Sequence, residues 1–421
     1  MSDPDHKSAS KRVVVGVGGG IAAYKAPAVV RHFTERGHSV RVIPTAAALE
    51  FVGAATFEAL SGNPVSTSVF DAIPEVPHVK LGQEADLVVV APATADLMAR
   101  AAQGRADDLL TGTLLTARCP VLFVPAMHTE MWEHPATRAN VDTLRAYGAT
   151  VLEPARGRLT GKDTGAGRLA EPDEIGAFGD LLLDRAESLP RDLEGRRVVV
   201  SAGGTREALD PVRYLTNRSS GKQGYALARV AAQRGANVTL VAGNTVGLPD
   251  PAAVDVVRIS SALDLQAAMA EHSRDADLVI MAAAVADYRP AEAAATKLKK
   301  GGASEALETI TMIENPDVLA GLVATRAEGA LPGRSVIVGF AAETGDANGT
   351  VLEYGRVKLK RKGCDLLVLN AVGDGRAFEV DDNAGWLLGT DGSERTLALG
   401  SKNVMASHIL DAAVAQMSDL N

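Results

Sequence analysis

Four stretches of this sequence hold residue types that bind anions. Gly16-Val17-Gly18-Gly19-Gly20-Ile21 is a glycine turn set where a helix should begin, and backbone N–H groups at such a point face an anion whatever the ligand. It departs from the dinucleotide fingerprint twice. Ile21 stands in the third glycine position, and Pro44-Thr45 rather than an acid closes the next strand. Thr45 can add a hydroxyl, and a monophosphate such as that of FMN suits the turn better than a pyrophosphate. Ser219-Ser220-Gly221-Lys222 offers small residues and a lysine at a helix start; it lacks the first glycine of a P-loop, and Gln223 replaces its Ser or Thr. Lys297-Leu298-Lys299-Lys300 and Lys358-Leu359-Lys360-Arg361-Lys362 complete the set. One lysine run is ordinarily a solvated face. Three basic clusters in one half of a chain of formal charge −9 favour a polyphosphate site. His78, at a predicted strand start, titrates near neutral pH, but alone it reads as a structural histidine.

These residues need elements to hold them. Arg12 to Gly16 is a β-branched run closed by glycines; Ile21 to Arg36 has helical periodicity, and His38 to Ile43 is a second strand. That is a βαβ unit of a parallel sheet. The pattern restarts at Arg197 to Ser201, passes Gly203-Gly204, and continues through a helix from Gly221 to Arg234 into a strand from Asn237 to Val241. Ala85 to Ala91 followed by Asp96 is echoed by Ala276 to Ala282 followed by Asp287. The fold class is therefore α/β, with two Rossmann-like doubly wound domains whose ligand sites should lie at the carboxyl ends of the strands. The stretch Ser188 to Gly195 places the boundary between domains 1–190 and 191–421. Glu153 to Gly167 is rich in glycine and proline, and its expected lack of structure suggests an active-site flap. Short strands between Ala377 and Leu399 predict an antiparallel edge on the second sheet, and Ser401 to Met417 a closing helix.

A length of 421 residues calls for more than one core, and 46% hydrophobic with 23% charged residues is the balance of a globular protein. The acidic balance argues against general nucleic-acid binding. Only Cys119 and Cys364 are present, too few for a disulfide framework. No run of about 18 apolar residues predicts a membrane span, and the polar start from Met1 to Ser10 has no apolar signal core. The expected compartment is the cytoplasm.

Along nearly its whole length the sequence resembles the bacterial family of bifunctional phosphopantothenoylcysteine decarboxylase/phosphopantothenate–cysteine ligases. In the first half the resemblance rests on Gly19-Gly20-Ile21-Ala22-Ala23-Tyr24-Lys25, His78-Val79-Lys80-Leu81, Pro92-Ala93-Thr94-Ala95-Asp96 and Pro125-Ala126-Met127. In the second it rests on Gly204-Thr205-Arg206-Glu207, Asp210-Pro211-Val212-Arg213-Tyr214, and Asn217 with Ser219 to Lys222. Ala284 to Tyr288, Asn315-Pro316-Asp317 and Gly339 to Thr344 follow in order.

The resemblance implies a flavodoxin-like flavoprotein domain followed by a ligase domain with an antiparallel extension. It implies coenzyme A biosynthesis from 4′-phosphopantothenate, cysteine and CTP, with FMN and Mg²⁺ as cofactors. FMN would supply the electron sink that lets a cysteinyl carboxylate leave. Gly18, Gly19, Gly20, Ile21, Thr45, Pro92, Ala93 and Thr94 would hold it, His78 would be the base, and Met127 and His128 would meet the substrate. The ligase would convert the poorly electrophilic carboxylate to an acyl cytidylate for attack by cysteine. Asp287, Lys297, Pro316, Asp317, Val318, Leu319, Phe340, Lys358 and Lys362 would line the CTP site, with Asn217 handling the acyl intermediate. Two departures stand out. His128 replaces the family's asparagine, and the flap stretch Leu159 to Gly165 lacks the family's proton-donating cysteine, leaving Lys162 or a water for that step. Trimeric flavin domains and dimeric ligase domains would together close into a homo-oligomeric dodecamer. Two rival readings are a nicotinamide oxidoreductase and a ligase carrying an impaired or regulatory flavoprotein half.

Overall fold

The computed structural model describes residues 10–67, 77–158, 164–298, 310–343, 349–371 and 382–419. The chain divides into two compact units, Met1–Pro190 and Arg191–Asn421. In the first unit, strands β1 (Arg12–Val17), β2 (Ser39–Pro44), β3 (Leu87–Ala93), β4 (Val121–Pro125) and β5 (Thr150–Val151) form an all-parallel sheet in the order 2-1-3-4-5. This is the flavodoxin-like order, with its switch point between β1 and β3. Val13, Val15, Leu87 to Val90 and Leu122 are buried, so near-continuous apolar strands are covered on both faces, as a parallel sheet requires. The covering helices are α1 (Ala26–Glu35), α2 (Ala46–Leu49), α3 (Ala54–Ser61), α4 (Pro77–Glu84), α5 (Ala95–Ala102), α6 (Leu109–Thr116), α7 (Thr129–Glu133), α8 (Pro135–Ala146) and α9 (Pro172–Arg185).

Three expectations change. The helix predicted from Ile21 to Arg36 begins as a 3₁₀ turn over Ile21–Lys25, and the α-helix starts only at Ala26. Pro27 lies in its first turn, where the missing N–H costs nothing. His78 is not at a strand start: Pro77 opens α4 in the same way, and His78 follows it in the helix. The stretch expected to be structureless is a hairpin, β6 (Ala155–Arg158) against β7 (Thr164–Arg168), with antiparallel pairing. Leu159 to Asp163, and with them Lys162, lie outside the described residues.

In the second unit, strands β8 (Arg197–Gly203), β11 (Asn237–Gly243), β12 (Val254–Ile259), β13 (Leu278–Met281), β16 (Val336–Glu343) and β17 (Leu366–Ala371) run parallel in the order 12-11-8-13-16-17. Numbered from β8, that is the doubly wound order 3-2-1-4-5-6, with the switch point between β8 and β13. β18 (Asp382–Gly389) and β19 (Glu394–Ser401) extend it antiparallel. Two small ladders flank the switch point, β9 (Arg206–Ala208) with β10 (Tyr214–Thr216) and β14 (Tyr288–Pro290) with β15 (Met312–Glu314). Helices α10 (Lys222–Gln233), α11 (Ala262–His272), α12 (Val318–Ala327), α13 (Val351–Lys362) and α14 (Lys402–Asp419) complete the unit. Val199, Val241, Met269, Val279, Ile337 and Leu367 lie in one aliphatic core.

One buried charge fixes the ends of this unit to each other. Arg234, 1% exposed, donates to Asp192 at 2.8 Å, to Asp411 on α14 at 2.7 Å and to the Ser407 carbonyl at 3.4 Å. The Leu193 N–H donates to the Arg234 carbonyl at 3.2 Å. Among the described residues no helix is long and apolar enough to cross a membrane.

Candidate functional site

In the first unit the carboxyl ends of β1, β2 and β3 open into a cavity of about 840 Å³. Gly19, Gly20, Ile21, Thr45, Pro92 and Thr94 line it on one side. Thr45 and Thr94 each cap a helix at the end of a strand, accepting from the Ala48 and Leu97 N–H groups at 3.2 and 3.3 Å. Their hydroxyls keep a hydrogen to donate into the cavity. The glycines are held by close approach. A Cβ on Gly19 would stand 2.4 Å from the Ala47 Cβ, and one on Gly18 would stand 2.6 Å from the Pro92 carbonyl oxygen. Gly18 itself does not line the cavity, and its N–H is spent on the Pro92 carbonyl at 2.9 Å. Ala93 is likewise absent from the lining, being fully buried within β3.

The opposite wall brings Met127 and His128 into the same cavity, with Met131. Ile21, Tyr24 and Met131 are 68%, 64% and 48% exposed, so its mouth is apolar and open. The lining charges are paired. Lys25 contacts Glu171 at 3.0 Å, and Arg100 holds Asp108 at 2.8 Å and Asp96 and Asp107 at 3.0 Å. Burial would lower the Arg100 pKa, but hydrogen bonds to Asp108 and Asp107 outweigh it and hold the guanidinium firmly charged. His78 is not in this lining. It packs on α6, where a Cβ on Gly112 would stand 3.3 Å from its own Cβ. Its carbonyl accepts from Thr116 at 2.8 Å, and its buried Nδ1 has no hydrogen-bond partner among the described residues. Burial pushes the thiols of Cys119 and Cys364 up to about 11, so neither is poised as an acid or nucleophile near neutrality.

The second unit has a cavity of about 820 Å³ at its switch point. Asn217, Asp287, Pro316, Asp317, Val318, Leu319, Phe340, Lys358 and Lys362 all line it, brought from five separated stretches of sequence. A dense hydrogen-bond web fixes its floor. The Ala284 N–H donates to the Gly203 carbonyl at 2.8 Å, the Ala286 N–H to Thr205 at 3.0 Å, and the Asn315 N–H to the Asp287 carbonyl at 2.8 Å. Asn217 Nδ2 donates to the Val285 carbonyl at 2.9 Å and Asn315 Nδ2 to the Ala286 carbonyl at 2.8 Å. Two lysines are held by carboxylates: Lys358 by Glu343 at 2.6 Å, and Lys362 by Asp317.

A smaller cavity of about 150 Å³ is lined by Ser219 to Gly224 and Lys402, and shares Ala283, Ala284 and Phe340 to Ala342 with the larger one. The Ser219–Lys222 cradle thus opens beside the main cavity. Lys297 is not brought to it; the side chain is exposed, on a segment bound to Asp210 through Leu298. Arg361, a member of the basic run noted in the sequence, and Arg218 also line the cavity; Arg218 was not singled out from sequence. Positions 358, 361 and 362 share a helix face. Among the described residues no group of three or more His, Cys, Asp or Glu could hold a metal ion.

Residues 1–181 match the family described as Flavoprotein, and residues 193–417 match the DNA/pantothenate metabolism flavoprotein C-terminal domain. The chain is 68% identical to a coenzyme A biosynthesis bifunctional protein CoaBC from Mycobacterium tuberculosis (strain H37Rv), over 97% of this chain and 98% of that one. It is 44% identical to a protein of the same name from Vibrio vulnificus (strain CMCP6), over 96% and 97%. Among solved structures, the C-terminal domain of a protein of that name is 34% identical, covers 54% of this chain and 99% of its own, and gives a TM-score of 0.44.

Proposed function

Because this chain belongs to the family of coenzyme A biosynthesis bifunctional proteins, enzymes with decarboxylase and ligase roles, we propose that its second unit ligates 4′-phosphopantothenate to cysteine using CTP and that its first unit decarboxylates the product using FMN. The observation that carries the ligase reading is the convergence of Asn217, Asp287, Pro316 to Leu319, Phe340, Lys358 and Lys362 on one cavity. A carboxylate must be activated before an amine can displace anything from it. Attack of its oxygen on the α-phosphorus of CTP expels pyrophosphate and leaves an acyl cytidylate. Cysteine's amine then displaces CMP. Lys358 and Lys362 would stabilise the charge that builds on the phosphates, moving from Glu343 and Asp317 to the nucleotide. Ser219 to Lys222 offers the adjacent anion cradle, and Asn217 would orient the acyl group. The described carboxylates form no metal centre of their own, so Mg²⁺ would arrive bound to the triphosphate.

For the first unit, the cavity of about 840 Å³ has the size and the apolar wall that a flavin ring needs. Gly19 and Gly20 would present backbone to its phosphate, and Thr45 and Thr94 hydroxyl hydrogens; Ile21 and Met127 would pack on the ring. FMN would supply the hydride acceptance that makes decarboxylation feasible. His128 lies on the wall the substrate would meet. His78, outside the lining of its own chain's cavity, would serve as base at the cavity of a second copy, in keeping with a homo-oligomer built on this unit. The cytoplasm is the compartment we propose.

Mass spectrometry of products from 4′-phosphopantothenate, cysteine and CTP or ATP tests both halves. CTP should support ligation far better than ATP, and 4′-phosphopantetheine should appear with a yellow, flavin-bearing protein. His78→Asn should keep its flavin and stop at 4′-phosphopantothenoylcysteine. Equal turnover with ATP would refute the assignment of the second cavity. The sequence has no flap cysteine, and both of its thiols are raised in pKa; this favours one second reading, a ligase with an impaired flavoprotein half. Accumulation of 4′-phosphopantothenoylcysteine by the unaltered protein would decide for it.

A further inference from the structure

We propose that Asp210 is a positioning residue for ligation: it moors the segment that carries Lys297. The inference rests on the ligase role that the resemblance implies for Lys297, whose exposed side chain would reach the nucleotide from outside the cavity lining. The Asp210 side chain is fully buried, and its carboxylate is shared between two tasks. Oδ1 closes the local turn, accepting from the N–H groups of Val212 and Arg213, both at 2.8 Å. That bond pair alone would satisfy a turn. Oδ2 faces elsewhere. It accepts from the Leu298 N–H at 3.1 Å and from Arg213 Nε at 2.9 Å, while Arg213 Nη2 donates to the Leu298 carbonyl at 2.6 Å. Both backbone polar groups of Leu298 are thus held by one acid–base pair 85 to 88 residues earlier in the chain.

Two further bonds moor the same segment: the Ala291 N–H donates to the Thr311 carbonyl at 2.9 Å and the Ala294 N–H to the Leu209 carbonyl at 3.0 Å. The last mooring falls on the residue next to Lys297. An exposed lysine is a flexible charge whose usefulness depends on the volume it samples. Fixing the adjacent backbone leaves only its side-chain torsions free, which raises its effective concentration at any phosphate within reach. The Arg213 hydrogen bond holds the Asp210 carboxyl well below the usual carboxylate range, so the mooring is anionic at every pH near neutrality. No contact of Asp210 with the cavity is involved; it acts through Leu298.

The test uses the full-length protein. Asp210→Asn can turn an amide N–H toward the Leu298 N–H, donor against donor. Leu298→Pro removes the same bond from the other side and leaves Asp210 and Arg213 intact, which covers the case in which Asp210→Asn fails to fold. In each, hydrogen exchange of the peptide spanning 291–298 should quicken, and kcat/KM for CTP in ligation should fall about tenfold, the size expected for one charge-assisted hydrogen bond. In a Lys297→Ala background, itself impaired, neither change should lower ligation further. Unaltered exchange across that peptide in both variants overturns the proposal. So does an undiminished loss in the Lys297→Ala background, since that would mean Asp210 acts on the unit as a whole. A Lys297→Ala protein as active as the native one overturns the underlying reading of Lys297 and, with it, the mooring role of Asp210.

Discussion

At Asp317 one carboxylate meets two demands. Its Oδ1 accepts the Ala320 N–H at 3.1 Å and so caps α12, while Oδ2 holds Lys362 at the cavity wall. The two duties separate by substitution. Asn caps helices as well as Asp does, whereas Ala costs about 1 kcal/mol at such a position. Asp317→Asn should therefore keep the cap's share of the second unit's stability, lose the share that comes from the Lys362 pair and weaken CTP use, whereas Asp317→Ala should lose the cap as well; denaturant unfolding and the KM for CTP measure each. Acid should find the same residue. Burial pushes the Asp317 carboxyl upward, but the Lys362 hydrogen bond and the Ala320 N–H outweigh it and depress its pKa below the ordinary 3.8. A depressed carboxylate contributes stability that is complete above the unfolded value and is lost as pH falls through the folded one. Below pH 3.8 the native protein should thus lose stability that Asp317→Asn never had, and an unfolding series from pH 5 downward checks the sign. At this scale the sequence named most of the lining, because Asp287, Asn315, Pro316 and Phe340 stand in short motifs. It could not name Glu171 beside Lys25, or Glu343 beside Lys358, because such pairs join residues 146 and 15 positions apart that only the fold brings together.

Elements were legible where their chemistry is local. The parallel strands announce themselves as β-branched runs bounded by glycine turns. The three-residue strands of the two small ladders carry no periodicity, since a span of three residues cannot show alternation. The β6–β7 hairpin hid behind glycines at 157, 165 and 167, which weaken a strand signal while permitting close backbone approach. Helix α6 gives the test at this scale. Asp108 and Thr111 form its capping box, and Asp108 also takes Arg100 at 2.8 Å. Asp108→Ala should lower the stability of the first unit by about 1–2 kcal/mol through the cap and leave Arg100 with Asp96 and Asp107. Because α6 packs on α4, the His78 ring, whose Nδ1 is buried there, should feel the change, and its proton NMR shift would report it.

Over the whole molecule the two cores are separate bodies of apolar contact, each with its own switch point and cavity. Calorimetry should resolve two transitions. FMN should raise only the one belonging to the first unit and CTP only the other, each by about 2.7 kcal/mol at a hundredfold excess over Kd. Ligands that raised both transitions equally would show a single cooperative body instead. The boundary between the units was readable from Pro190 and the charged residues after it. What composition could not reveal is how much of that boundary belongs to the second unit. Asp192 is one of the two carboxylates neutralising the buried Arg234, and Leu193 is itself fully buried. This sets a rule for dividing the protein into two separate polypeptides, whether by gene fission or by design. A second polypeptide starting at Arg191 keeps the acid with its arginine. One starting at Gly195 loses the buried Leu193 and leaves Arg234 with Asp411 as the remaining one of its two carboxylates, at a cost of about 2–3 kcal/mol for the lost charged hydrogen bonds, and should refold less well although every cavity residue is still present. The seam between the two activities is thus a few residues wide, and it falls on the near side of Asp192.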